Sequence, residues 1–234
     1  MPAEIKDSFK VGTKTVVVND CDLRGDITLG SGTILQPRCT VIAASGPIIF
    51  GSNNVVEELA IIVNRHKEPL IIGDSNLFEV GCRVESPSIG SHNTFGIRSR
   101  VSPHVAVGSH CTIGAGCTVL PSPFLPTPPA DEASAAPPDP PSSDAPESDV
   151  SMAAASSSPS PATSPLPSSA PTPPPAPSAD GVDTLPDHTH VFGSENRRRK
   201  ASGEGTGQAK ALFVKHWEYL RETLPKYHKL KMFD

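Results

Sequence analysis

The chain has 234 residues, 25 of them acidic and 20 basic, and carries 27 prolines. No segment has the basic excess of a nucleic-acid binder, no apolar run approaches the roughly 18 residues of a membrane span, and the opening MPAEIKDSFKVG lacks the apolar core of a secretory signal. These features predict an intracellular, soluble protein, and its five cysteines include no C-x-x-C pair, which argues against a zinc site.

In chain order, the first feature is a period of six. Val11, Val17, Leu23, Leu29, Leu35 and Val41 are spaced six apart; Phe50, Val56 and Ile62 follow after a slip of three. Ile72, Phe78 and Val84 resume after a slip of four, and Ile89, Phe95, Val101, Val107, Ile113 and Val119 after a one-residue deletion. Every third anchor is followed by glycine: Gly12, Gly30, Gly51, Gly73, Gly90 and Gly108. The unit is therefore three hexads, and a repeat of this kind predicts a parallel β-helix. Each hexad is a short strand and a turn, three close a triangular coil, and coils stack at about 4.8 Å. The glycines are expected at corners whose backbone conformation a Cβ disfavours.

Side chains alternate along a strand, so the residue two before each anchor also faces inward. In the third column these are Cys21, Cys39, Ala60, Cys82, Ser99 and Cys117; in the second, Thr15, Thr33, Asn54, Asn76, Asn93 and Cys111; in the first, Phe9, Ile27, Ile48, Leu70, Pro87 and Val105. The cysteines read as small buried side chains and the asparagines as a stacked amide ladder.

Residues 121–180 hold 19 of the prolines, seven acids and no Lys or Arg. Such a stretch cannot bury enough apolar surface to offset its ordering entropy, which predicts a Pro/Ser/Ala-rich disordered insert over 121–182. DTLPDHTHVFG restores the coil pattern at Phe192-Gly193. The predicted organisation is a β-helix over 1–120, the insert over 121–182, a last coil resumed over 183–194, a polar linker over 195–208, and a helix over 209–231 packed on the solenoid. The fold is mainly β, with about six to seven coils. The basic run 197–200, with Ser202 in RRKAS, reads as solvated linker, nuclear import or phosphorylation being the sharper alternatives. Phe213, Trp217, Leu220, Leu224 and Tyr227 share one helical face, and Pro225 is expected to kink or split the helix.

LRGD (23–26) and the hexads resemble the hexapeptide-repeat, γ-carbonic-anhydrase-like superfamily, whose β-helix is left-handed. Its metal sites use three histidines, and the aligned positions here hold Val63, Val80 and Glu85. The acyltransferases of the superfamily use a histidine base. Among His66, His92, His104 and His110, only His66 lies in a loop excursion (64–69), and no neighbour in the sequence orients it. Glu57 and Glu79 fall in one column, with Glu58 and Glu85 taken as nearby; this acidic stripe is either solvated surface, paired to Arg83 or Arg65, or a docking strip for a basic partner. LRGDITLGSGTILQP, AASGPIIFGSNNVVEELAIIVN, IIGDSNLFEVGC and LPKYHKL together resemble the β-helix subunits of dynactin's pointed-end complex.

That resemblance implies a non-catalytic structural subunit, cytoplasmic and cytoskeletal, supporting dynein-driven microtubule transport and cargo or adaptor attachment. The implied partners are a sister β-helix subunit, an actin-related protein and a larger zinc-binding subunit, with dynein reached indirectly. No cofactor, nucleic acid or membrane insertion is implied. By carry-over, Arg24 and Asp26 are interface candidates, although an ion pair within the chain fits that turn equally. The alternatives are a homotrimeric hexapeptide-repeat enzyme, either acyltransferase or metal hydratase, and a stand-alone scaffold whose Pro-rich insert binds SH3 or WW domains.

Overall fold

A computed structural model describes residues 7–121, 182–203 and 205–233. The predicted insert lies outside these, apart from Pro121 and Val182. Coil one comprises β1 (Ser8–Val11), β2 (Val16–Val17) and β3 (Asp22–Arg24), and coil two β4 (Asp26–Leu29), β5 (Ile34–Leu35) and β6 (Thr40–Ala43). Coil three is β7 (Ile48–Phe50), β8 (Val55–Val56) and β9 (Ile61–Asn64), and coil four β10 (Leu70–Ile72), β11 (Leu77–Phe78) and β12 (Arg83–Val84). Coil five is β13 (Ser88–Ile89), β14 (Thr94–Phe95) and β15 (Arg100–Val101), and coil six β16 (Val105–Val107), β17 (Thr112–Ile113) and β18 (Thr118–Val119). β19 (Asp183–Leu185) and β20 (Thr189–Phe192) make two sides of a seventh; β21 (Arg197–Lys200) and α1 (Thr206–Tyr227) follow.

Each side of the coil becomes one sheet: β1-β4-β7-β10-β13-β16-β19, β2-β5-β8-β11-β14-β17-β20-β21, and β3-β6-β9-β12-β15-β18. All neighbours are parallel except β20 and β21. The register keeps anchor beside anchor, as in Phe78↔Phe95 and Val84↔Val101. The anchors are buried except Val11, which is 38% exposed because coil one has a neighbour on one side only. Phe78 and Phe95 stack with ring centroids 4.7 Å apart and planes 1° apart. All five cysteines are free and buried.

The asparagine ladder extends the hydrogen bonding of the coils inward. Asn54 Oδ1 accepts from the Asn76 backbone N–H and side-chain amide, both at 3.0 Å. Asn76 Oδ1 accepts from Asn93 N (2.9 Å), and Asn93 Oδ1 from Cys111 N (2.7 Å).

The six column glycines are needed for a different reason from the one expected. None has a positive φ. A Cβ on Gly30 would run into the Gly51 carbonyl, and one on Gly12, Gly51, Gly73 or Gly90 into the glycine of the next coil or its neighbour's side chain; one on Gly108 would strike Asp187 and the Leu185 carbonyl. Stacking at strand spacing leaves no room for a side chain there. The left-handed corner lies two residues on, at Lys14 (φ 58), Gly32 (φ 72), Asn53 (φ 56), Ser75 (φ 56), His92 (φ 59), His110 (φ 58) and His188 (φ 59).

Both ends of the second sheet are closed by antiparallel pairing. At one end Arg197–Lys200 forms β21 against β20, where a linker was expected. Unpaired N–H and C=O groups on β20 supply the driving force. Arg198 also donates to the Leu120 carbonyl (2.6 Å), and Arg199 lies over the Phe192 ring (5.1 Å). At the other end Leu230 bridges Val18, with Asn19 N donating to Lys229 O and Lys231 N to Val17 O, both at 2.8 Å. Phe233 packs edge-on to Phe9, with centroids 5.7 Å apart.

α1 joins these two caps. Its 22 residues span about 33 Å at 1.5 Å per residue, close to the height of the coil stack. It packs on β2 and β5. Leu220 and Leu224 are buried, Phe213 and Trp217 pack against the core, and Tyr227, expected on this face, is 77% exposed. Pro225 does not split the helix. It occupies the last turn, where a missing N–H costs a single bond, and the chain leaves the helix at His228, whose N–H bonds the Leu224 carbonyl (2.9 Å).

Candidate functional site

The positions aligned with metal ligands come first. Val63 is buried and Val80 partly buried; neither side chain has a donor atom. Glu85, 8% exposed, is held by two guanidiniums: Arg65 Nε donates to Oε2 (2.9 Å) and Arg83 Nε to Oε1 (2.7 Å). Burial raises its pKa, but the two arginines outweigh that and leave the carboxyl below its usual range. The residues present do not fit zinc: two positions have no ligand atom and the third is an ion-paired anion.

The 64–69 loop is built by Asn64, a residue the sequence reading passed over. Its buried amide donates to Pro47 O (3.0 Å) and Glu68 O (2.8 Å), and its Oδ1 accepts from His66 N (2.9 Å). His66 Nε2 is 2.8 Å from the Pro103 carbonyl, to which it donates. His66, which follows β9 of coil three, is thus tied to the backbone that follows β15, two coils on.

The acidic stripe separates into two corners. Glu57, Glu58 and Glu79 follow second-sheet strands, whereas Glu85 follows a third-sheet strand, so Glu85 does not belong with the others. Glu57 Oε2 accepts from Val80 N (3.2 Å) and Glu79 Oε2 from Ile97 N (3.0 Å), each carboxylate bracing the turn of the next coil. Glu57 Oε1 also meets His216 Nε2 of α1 at 3.1 Å. Burial pushes the Glu57 carboxyl up, with His216 opposing. Glu58 faces the Gln36 amide. At the LRGD turn, Arg24 pairs with Asp22 (2.9 and 3.0 Å) and not with Asp26, which stays exposed.

The third arrangement was not anticipated. His92, His110 and His188 occupy the left-handed corner of three successive coils and stack, with centroids 4.9 and 4.8 Å apart. Facing them across a groove of about 380 Å³ are Lys210, Phe213 and Val214 of α1. Burial first, then Lys210, pushes the His92 imidazole down; burial, His92, Lys210 and His188 do the same to His110. The signal was in the register, since His92 and His110 both sit two residues past a column glycine. His188 occupies the same place after Leu185, which pairs with Val107.

No protein-family profile matches the chain. It is 35% identical over 124 residues to dynactin subunit 6 of Danio rerio, covering 48% of this chain and 64% of that protein. Dynactin subunit 6 of Nematostella vectensis is 34% identical over 129 residues, with 50% and 70% covered; that of Dictyostelium discoideum is 42% identical over 108 residues, with 45% and 57% covered. The chain thus spans just under two thirds of the length of the first of these relatives. Among solved structures, a hexapeptide transferase family protein from Anaplasma phagocytophilum superposes with a TM-score of 0.61 at 10% identity over 95% of each chain. That likeness concerns the fold alone, a left-handed β-helix. With more than two thirds of the Nematostella protein covered at 34% identity, the chain belongs to the dynactin subunit 6 family.

Proposed function

We propose that this chain is a non-catalytic structural subunit of dynactin, placed in the pointed-end complex that supports dynein-driven microtubule transport and cargo attachment. Membership of the dynactin subunit 6 family supports the assembly. The observation that carries the non-catalytic reading is the replacement of the ligand positions by Val63, Val80 and the Arg65–Glu85–Arg83 cluster. A stack of coils with an ion-paired cluster at the aligned position offers surfaces for binding. The proposed partners are a sister β-helix subunit, an actin-related protein and a larger zinc-binding subunit, in the cytoplasm. Arg24 and Asp26 are exposed and are assigned to the sister-subunit contact; Glu58 and Glu79 belong to a different corner, following second-sheet strands. Among the described residues no helix is long and apolar enough to cross a membrane.

Gradient sedimentation of the tagged protein from gentle lysate, with mass spectrometry across the fractions, tests this. Co-migration with actin-related proteins in a large assembly is expected. A peak at trimer size without them would overturn the reading.

A further inference from the structure

The geometry points to the groove between the His92–His110–His188 stack and α1 as a binding site for a phosphate monoester, its phosphate on the imidazoles and Lys210 and its organic body against Phe213 and Val214. Four histidines line this groove, the three of the stack and His190. Among the described residues, no hydrogen bond is recorded to any of their ring nitrogens and no ion pair to Lys210. Unpartnered donors converging on a concave surface with an apolar wall mark a small-molecule site, and about 380 Å³ lies in the usual range of roughly 300–1,000 Å³ for one.

The sign of the charge follows from what surrounds the stack. Imidazoles at this spacing repel one another once protonated, and Lys210 adds to that repulsion at His92 and His110. The carboxylates in reach are Asp74, beside His92, and Asp187, beside His110. Each uses Oδ1 to accept a corner N–H, from Ser52 and Ser109 respectively, both at 2.6 Å. An anion entering the groove relieves the repulsion and lets the imidazoles take up protons. Phosphate suits this better than carboxylate. Its second ionisation, near pH 6, overlaps that of histidine, and its three terminal oxygens can accept from two adjacent rings and Lys210 together. The remaining volume beside Phe213 and Val214 requires a body larger than the phosphate itself.

The test uses the full chain and follows histidine ring signals by NMR during titration with phenyl phosphate, inorganic phosphate and chloride at constant ionic strength. Saturable shifts are expected at His92, His110 and His188 and not at His66, His104 or His228, with the His92 and His110 titrations moving to higher pH on binding. Phenyl phosphate should bind at least tenfold more tightly than inorganic phosphate. Lys210→Gln, at an exposed helix position, should weaken it about tenfold, and His110→Gln likewise, with the melting curve of each variant checking the fold. Shifts shared by all histidines, equal affinity for the two phosphates, or an unchanged Lys210→Gln titration would overturn the proposal. None of these outcomes bears on whether the chain assembles with dynactin.

Discussion

Single residues decide how closely the coils approach. Gly30 and Gly116 are both glycines of the repeat, but for different reasons. Gly30→Ala places a Cβ on the Gly51 carbonyl of the next coil and should destabilise by about 1–3 kcal/mol through overpacking. At Gly116 (φ 71) nothing lies within 4 Å, so Gly116→Ala carries only the left-handed strain, about 1–2 kcal/mol, and Gly116→Asn should recover much of it. Denaturant melts of the three variants check the distinction. Phe95 stacks on Phe78 with both rings fully buried, and Phe95→Ala should cost about 3–5 kcal/mol. Glu85 gives the pH dependence. Its folded pKa is lowered, so its stabilisation is present above the ordinary carboxylate range, near 4.3, and is lost as pH falls through the folded value. Glu85→Gln should therefore melt several degrees below the parent at pH 7, and the gap should narrow as pH falls below the ordinary carboxylate range. A gap independent of pH would mean that the residue acts by packing alone.

At the scale of elements, the caps matter most. Parallel strands cannot stop without leaving an edge, and this chain turns antiparallel at both ends of its second sheet, with β21 on β20 and Leu230 on Val18. The outer cap strand is Arg-Arg-Arg-Lys with every residue exposed, a charged edge that repels another copy. Replacing Arg197 and Arg199 with threonine should leave β21 paired but promote self-association, seen as a concentration-dependent rise in light scattering that the parent lacks. The hexads were legible because each anchor repeats at six and meets an identical environment one coil away. β21 was not legible, because four consecutive charges carry no alternation and pair only because β20 offers an open edge. The helix was legible from Phe213, Trp217, Leu220 and Leu224. That Tyr227 points away was not, since it depends on where Pro225 ends the last turn.

The described residues form a one-dimensional stack in which each coil contacts its neighbours and α1 packs on one side, so stability is not uniform along it. Coil one has a half-open first side, with Val11 38% exposed, and relies on residues 229–233 for its closure. Hydrogen exchange should be faster at β1 amides than at those of β8 and β11, and removing residues 229–234 should widen the difference.

The sequence by itself determined the coil count, the inward columns, the cysteine and asparagine ladders and the absence of histidine at positions 63, 80 and 85. All of these follow from a period that local spacing records. Only the tertiary structure decided that the column glycines answer to a facing backbone, that Glu85 is neutralised from two coils, and that Glu57 meets His216 of α1. It alone brought His92, His110 and His188 into one stack across from Lys210. Apart from Arg83 and Glu85, two residues apart, those contacts join residues from 17 to 159 positions apart in the chain, set by how coils register and where the helix lies, and no local pattern encodes such distances.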